Sequence, residues 1–127
     1  MAVRHITAKG VPAPGGSYSH GVVANGFLFT CGMGPVDPAT GQIIPGGIGE
    51  QTRQTLKNLQ AVLVEVGCDF TDVVKTTAHL QEVNRDFKEY DGVYQEFFKA
   101  PNFPVRTTVG SNLAAILVEI DLVVALR

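Results

Sequence analysis

Leu117-Val118-Glu119-Ile120-Asp121-Leu122-Val123-Val124 is an apolar run broken only by two acids, set at alternate positions. Successive side chains of a strand point to opposite faces. Val118, Ile120, Leu122 and Val124 therefore share one face, and Glu119 and Asp121 share the other. The reading is a strand over Leu117–Ala125. Just upstream, Pro104-Val105-Arg106-Thr107-Thr108-Val109 is β-branched and bounded by Pro104 and Gly110, so it is a second strand. Arg106 and Thr108 lie on one face of it, with Val105, Thr107 and Val109 on the other.

Working back from these strands, Val22-Val23-Ala24 and Phe27-Leu28-Phe29-Thr30 flank Asn25-Gly26. Asn-Gly supplies the positive φ values of a type I′ turn, which predicts a hairpin. Val3–Thr7 reads as a short first strand and Gln42-Ile43-Ile44 as a short pairing segment. Gly10–Gly16, rich in proline and glycine, is a loop that delivers Ser17-Tyr18-Ser19-His20 to the hairpin. Ile48, Thr52, Leu56, Leu59, Leu63 and Val66 recur at helical spacing, with Glu50 in the first turn and Gly67 as a terminal cap. This predicts a helix over 48–66. Its opposite face, with Arg53, Lys57, Gln60 and Glu65, is solvated.

Val73–Leu80 is the next strand, with Val74, Thr76, Ala78 and Leu80 on one face. A second helix is expected over Phe87–Phe98, capped by Asn84 or Asp86, with Phe87, Tyr90, Tyr94 and Phe97 as a core stripe. The sum is about six strands and two helices in one α+β domain spanning residues 1–127. Both helices pack on one face of a mixed sheet. The other face, to which Val118, Ile120, Leu122 and Val124 are assigned, then needs cover, and subunit association is the simplest.

Composition sets the broad class. The chain has 127 residues, 45% hydrophobic and 17% charged, which is the balance of a compact folded domain. A mean hydropathy of +0.15 favours an oligomer that hides apolar surface. The net charge of −2 and scattered basic residues argue against a nucleic-acid partner. No apolar run spans a bilayer and the N-terminus has no signal pattern, so the expected location is the cytoplasm, with no membrane partner. Cys31 and Cys68 have no motif spacing and read as free thiols; His5, His20 and His79 form no ligand motif. No metal is expected. A metal or glycosidase pair made from Glu119 and Asp121 is under-specified by two carboxylates.

Arg106 is the candidate that carries chemistry. A charge in an apolar strand is costly unless paired, and its planar fork of donors suits a small carboxylate. The competing reading is a structural Arg106–Glu119 salt bridge.

Further motifs join these in order along the chain: Gly16-Ser17-Tyr18-Ser19-His20, Phe29-Thr30-Cys31-Gly32-Met33-Gly34-Pro35-Val36-Asp37-Pro38, Gly49–Leu59, Val73-Val74-Lys75-Thr76-Thr77, Pro104–Val109 and Val118-Glu119-Ile120. Together they resemble the reactive-intermediate deaminase family, also called the Rid or YjgF family. The resemblance implies a chorismate-mutase-like fold, a homotrimer with sites between subunits, and no cofactor. It implies hydrolysis of 2-imino or 2-enamino acids, such as 2-aminoacrylate, to 2-keto acids and ammonia, a metabolite damage-control activity. Arg106 matches the residue that binds the substrate carboxylate and Glu119 the acid that positions water. Tyr18, Cys31, Gly32 and Thr108 match pocket positions. Ser17, His20 and Met33-Gly34 depart from the family pattern, Asp91 stands where many members carry asparagine, and the Arg106–Glu119 interval is shorter. The alternatives are a pathway-specific hydrolase of a carbamate-type substrate, and a non-enzymatic trimer that binds keto acids or acts as a chaperone. A ribonuclease is disfavoured by the charge.

Overall fold

A computed structural model describes residues 2–127. The elements are β1 (Arg4–Ile6), β2 (Gly21–Ala24), β3 (Phe27–Thr30), α1 (Ile48–Glu65), β4 (Val73–Leu80), α2 (Val83–Tyr94), β5 (Val105–Gly110) and β6 (Val118–Ala125), with one 3₁₀ turn at Phe70–Asp72. The strands form one sheet in the order β1-β2-β3-β6-β4-β5. Every pairing is antiparallel except β4 with β5, which α2 joins as a crossover.

Local chemistry accounts for these elements. Asn25 and Gly26 take φ of 52° and 81°, the left-handed pair that a type I′ hairpin turn requires. At the start of α1 the Glu50 carboxylate accepts the Gly47 backbone N–H at 3.0 Å, satisfying a donor that the helix leaves unpaired. The Gln42–Ile44 segment pairs through a single bridge, Ile43 to Val36.

α1 and α2 lie side by side on one face of the sheet. Leu56, Leu59, Val62 and Leu63 of α1 and Tyr90 and Tyr94 of α2 meet Leu28, Ala78, Leu80, Val118, Ile120, Leu122 and Val124, all buried. Burying each large apolar side chain contributes roughly 1.5–3 kcal/mol. A one-residue slip of β6 would expose four of them at once, so its register is firmly set.

Three expectations need correction. Val118, Ile120, Leu122 and Val124 face the helices, not the open side; the open face carries Glu119, Asp121 and Val123 instead. Lys75, Thr77 and His79 join them there, with exposed Phe27, Phe29, Val105 and Val109. Val74 is exposed because a bulge between Val73 and Lys75 breaks the alternation and turns Val73 inward. α2 begins at Val83, not Phe87, because Arg85 and Asp86 already donate their backbone N–H groups to Glu82 O. It ends at Tyr94, although Phe98 beyond it remains buried. Among the described residues no helix is long and apolar enough to cross a membrane.

Candidate functional site

β5 is the edge strand next to β4, and Arg106 stands opposite Thr76. That row faces α2. The Arg106 guanidinium sits over three rings of the helix, 5.4 Å from the centroid of Phe87, 5.6 Å from Tyr90 and 4.6 Å from Tyr94. Ring faces attract a cation, so this aromatic stripe packs the core and also seats a charge. The sequence reading gave it only the packing role. Arg106 Nη1 donates to Asp91 Oδ1 at 2.7 Å. The expected alternative, an Arg106–Glu119 salt bridge, is therefore not formed; the ion pair is with Asp91. Burial works to lower the Arg106 pKa, but the bond to Asp91 and the neighbouring Tyr90 hold it above its ordinary value.

A cavity of about 350 Å³ opens at this point, lined by Asp91, Tyr94, Gln95, Phe103, Pro104 and Arg106. Behind the Tyr94 wall, the buried Thr76 hydroxyl lies 3.0 Å from the Tyr94 hydroxyl. Thr108 is two residues beyond Arg106 on the same strand face. Its hydroxyl and that of Tyr90 are both buried, and neither meets hydrogen-bonding geometry with a partner among the described residues. Burial pushes the Tyr90 phenol up to about 12, against the opposing pull of Arg106.

Glu119 lies on the other face of the sheet, opposite His79. Its carboxylate packs on the backbone of Gly32: a Cβ built there would stand 2.6 Å from Glu119 Oε2. Glycine is thus needed for this close approach. Cys31, next to it, is half-buried. Burial raises its thiol pKa, its own backbone hydrogen bond works against this, and Glu119 and Asp121 add to the rise. A thiol in such surroundings stays protonated, as expected for a packing residue rather than a nucleophile.

Tyr18 is half-exposed in the loop before β2, and its hydroxyl oxygen accepts the Gly15 backbone N–H at 2.9 Å. It shares a groove of about 240 Å³ with His20, Cys31, Gly32, Met33 and Pro12. His20 is buried and braces this loop: its Nδ1 accepts from Ala8 N–H at 3.0 Å, and its Nε2 donates to Pro12 O at 2.8 Å. The fold thus gathers the predicted residues into two groups. Arg106 and Thr108 line or adjoin the α2 side; Tyr18, Cys31, Gly32 and Glu119 gather around β3 and β6. Glu119 and Asp121 acquire no third ligand, and no group of three or more His, Cys, Asp or Glu forms among the described residues.

Sequence reading missed the groups that hold these walls. Asn58 of α1 is buried and donates to Gly34 O at 3.1 Å and Val36 O at 2.8 Å. Gln51 accepts the Leu117 N–H at 2.8 Å, two residues before Glu119. A polar residue beside the buried stripe of α1 was the available signal. Asp91 gave no local sign of pairing with Arg106, because they meet only through the crossover.

The comparisons with known proteins agree with this architecture. A family profile described as "Endoribonuclease L-PSP" matches residues 9–126. The human 2-iminobutanoate/2-iminopropanoate deaminase is 40% identical over 103 residues, covering 81% of this chain and 74% of that protein. The crystal structure of YyfA from Yersinia pestis, a protein of unknown function of the conserved Rid family, superposes with a TM-score of 0.92 at 35% identity, covering 98% of this chain and all of the other. That of E. coli TdcF with bound serine gives a TM-score of 0.89 at 30% identity, covering 98% and 99%. With its sheet order, its helix pair and nearly its whole length matched, this chain belongs to the Rid (YjgF) family.

Proposed function

We propose that this protein hydrolyses small 2-imino and 2-enamino acids to 2-keto acids and ammonia. The observation that carries this reading is Arg106: a guanidinium seated on three aromatic rings at the mouth of a cavity, with one N–H engaged by Asp91 and the rest of its fork unpaired among the described residues. Such a fork takes a carboxylate in bidentate fashion. The names of relatives support the same chemistry, since one is an iminobutanoate/iminopropanoate deaminase and another holds serine, also a small α-nitrogen acid.

The reaction needs only water besides the substrate. Water oxygen adds to the imine carbon, the nitrogen gains protons, and the carbon–nitrogen bond breaks to leave a carbonyl and ammonia. The iminium carbon is already electrophilic, so anchoring the anion and aiming one water supplies most of the catalysis. Arg106 anchors; Glu119 aims the water. Tyr18, Cys31, Gly32 and Thr108 shape the pocket. Arg106 and Glu119 belong to opposite sheet faces, which supports a working site between copies of the chain; the assembly proposed is a homotrimer of one-domain subunits. The setting is the cytoplasm. A net charge of −2 with no basic cluster favours this reading over a nuclease one.

The test is to generate 2-iminopropionate in situ with an amino-acid oxidase and trap what remains with semicarbazide. Wild type lowers the trapped imine and Arg106→Ala does not. Folded wild-type protein that leaves the imine untouched sinks the deaminase reading, and keto-acid binding without turnover would replace it with a small-acid sensor.

A further inference from the structure

Asp91 and Arg106 face the same cavity as a matched pair of opposite charges. Their side chains are 32% and 24% exposed, so both are open to an incoming molecule. Asp91 Oδ1 accepts from Arg106, and Oδ2 accepts from Gln95 Nε2 at 3.0 Å. A carboxylate offers about four acceptor positions and a guanidinium five donors, so each keeps capacity for a ligand. Among the described residues no other charged side chain lines the cavity. Within one chain the charges that line it therefore cancel, instead of the +1 that a lone arginine would give.

This changes what the cavity selects. A simple carboxylate anion gains the Arg106 fork but lies within a few ångströms of the Asp91 carboxylate, and like charges at that range in a partly desolvated site repel. A ligand carrying a carboxylate and a neighbouring nitrogen cation satisfies both ends of the pair. We infer that Asp91 is a specificity-determining residue that makes the Arg106 cavity prefer a zwitterionic acid over a plain carboxylate anion. The inference rests on the reading of Arg106 as the carboxylate anchor. A protonated 2-imino acid is a zwitterion, whereas the 2-keto acid formed from it is an anion. The same pair that admits the substrate thus disfavours retention of the product.

The experiment is calorimetric titration with L-2-aminobutanoate and 2-oxobutanoate, which differ at one carbon by an ammonium against a carbonyl. Wild type binds the amino acid in preference to the keto acid. Asp91→Asn, which keeps the side chain's size, binds 2-oxobutanoate about tenfold tighter and loses most of the preference. Asp91→Glu, which restores the charge, keeps it. An unchanged preference in folded Asp91→Asn, or wild type that takes both ligands equally or neither, overturns the inference. If Arg106→Ala binds 2-oxobutanoate as wild type does, the carboxylate-anchor reading falls, and the inference with it. Loss of binding in Arg106→Ala with an unchanged preference in Asp91→Asn overturns the inference alone.

Discussion

Arg106 and Glu119 point to opposite faces of one sheet. Arg106 shares a row with Thr76 and Leu122, under α2, whereas Glu119 pairs with His79 on the open side. No side-chain rotation within a single chain brings the guanidinium and the carboxylate to one small molecule across a close-packed sheet. If both act on the same substrate, two copies must supply them.

That arrangement predicts complementation. Arg106→Ala and Glu119→Ala are each inactive alone. When they are unfolded together, refolded as a mixture and assayed, about a quarter of the interfacial sites inherit both native residues in a random cyclic assembly, and activity returns to roughly that fraction. A mixture as inactive as its components would show that the two residues do not act together on one substrate.

Gly32→Ala separates catalysis from folding. The added methyl meets the Glu119 carboxylate at 2.6 Å from Oε2 and 2.8 Å from the carboxyl carbon. A side chain of this kind swings away at little cost, so stability to denaturant falls by no more than about 1 kcal/mol. Turnover falls by about tenfold or more, because the water-aiming group is displaced. Full activity in the variant would remove Glu119 from the chemistry.

Thr76→Val tests the support behind the Tyr94 wall. Valine keeps the shape but leaves the buried Tyr94 hydroxyl without the Thr76 partner now 3.0 Å away. An unsatisfied buried hydroxyl costs about 1–3 kcal/mol, read as a lower denaturant midpoint at unchanged slope. The KM for an imino acid rises with it, since the Tyr94 ring lies 4.6 Å under the guanidinium. An unchanged midpoint would show that Tyr94 finds another partner.

Asp121 gives a pH signature. Burial holds its carboxyl above the ordinary value of 3.8, although His79 and Lys75 pull it down. The folded state therefore binds this proton more tightly than the unfolded chain. The stabilising contribution is full below 3.8 and is lost as pH rises through the folded value. At neutral pH the charge is a cost, so Asp121→Asn raises the thermal midpoint there and loses that advantage in acid. A midpoint lowered at neutral pH would mean that Asp121 is held by a partner that prefers its charge.

The sequence alone determined what depends on neighbours along the chain. Asn25-Gly26 demands left-handed backbone, so the hairpin is legible. Leu56, Leu59 and Leu63 fall on one side of a helix by spacing, and Val118 through Val124 alternate across a strand by geometry. Arg106 was legible as a candidate because charge in an apolar strand is costly, and its motif pointed to the family. Which face of β6 meets the helices was settled by long-range packing, since alternation divides a strand into two faces without saying which is covered. That packing also decided that Arg106 pairs with Asp91 rather than Glu119. Those partners are chosen by strand order and by a crossover helix, and the energies that set them come from long-range burial that no local pattern of residues records.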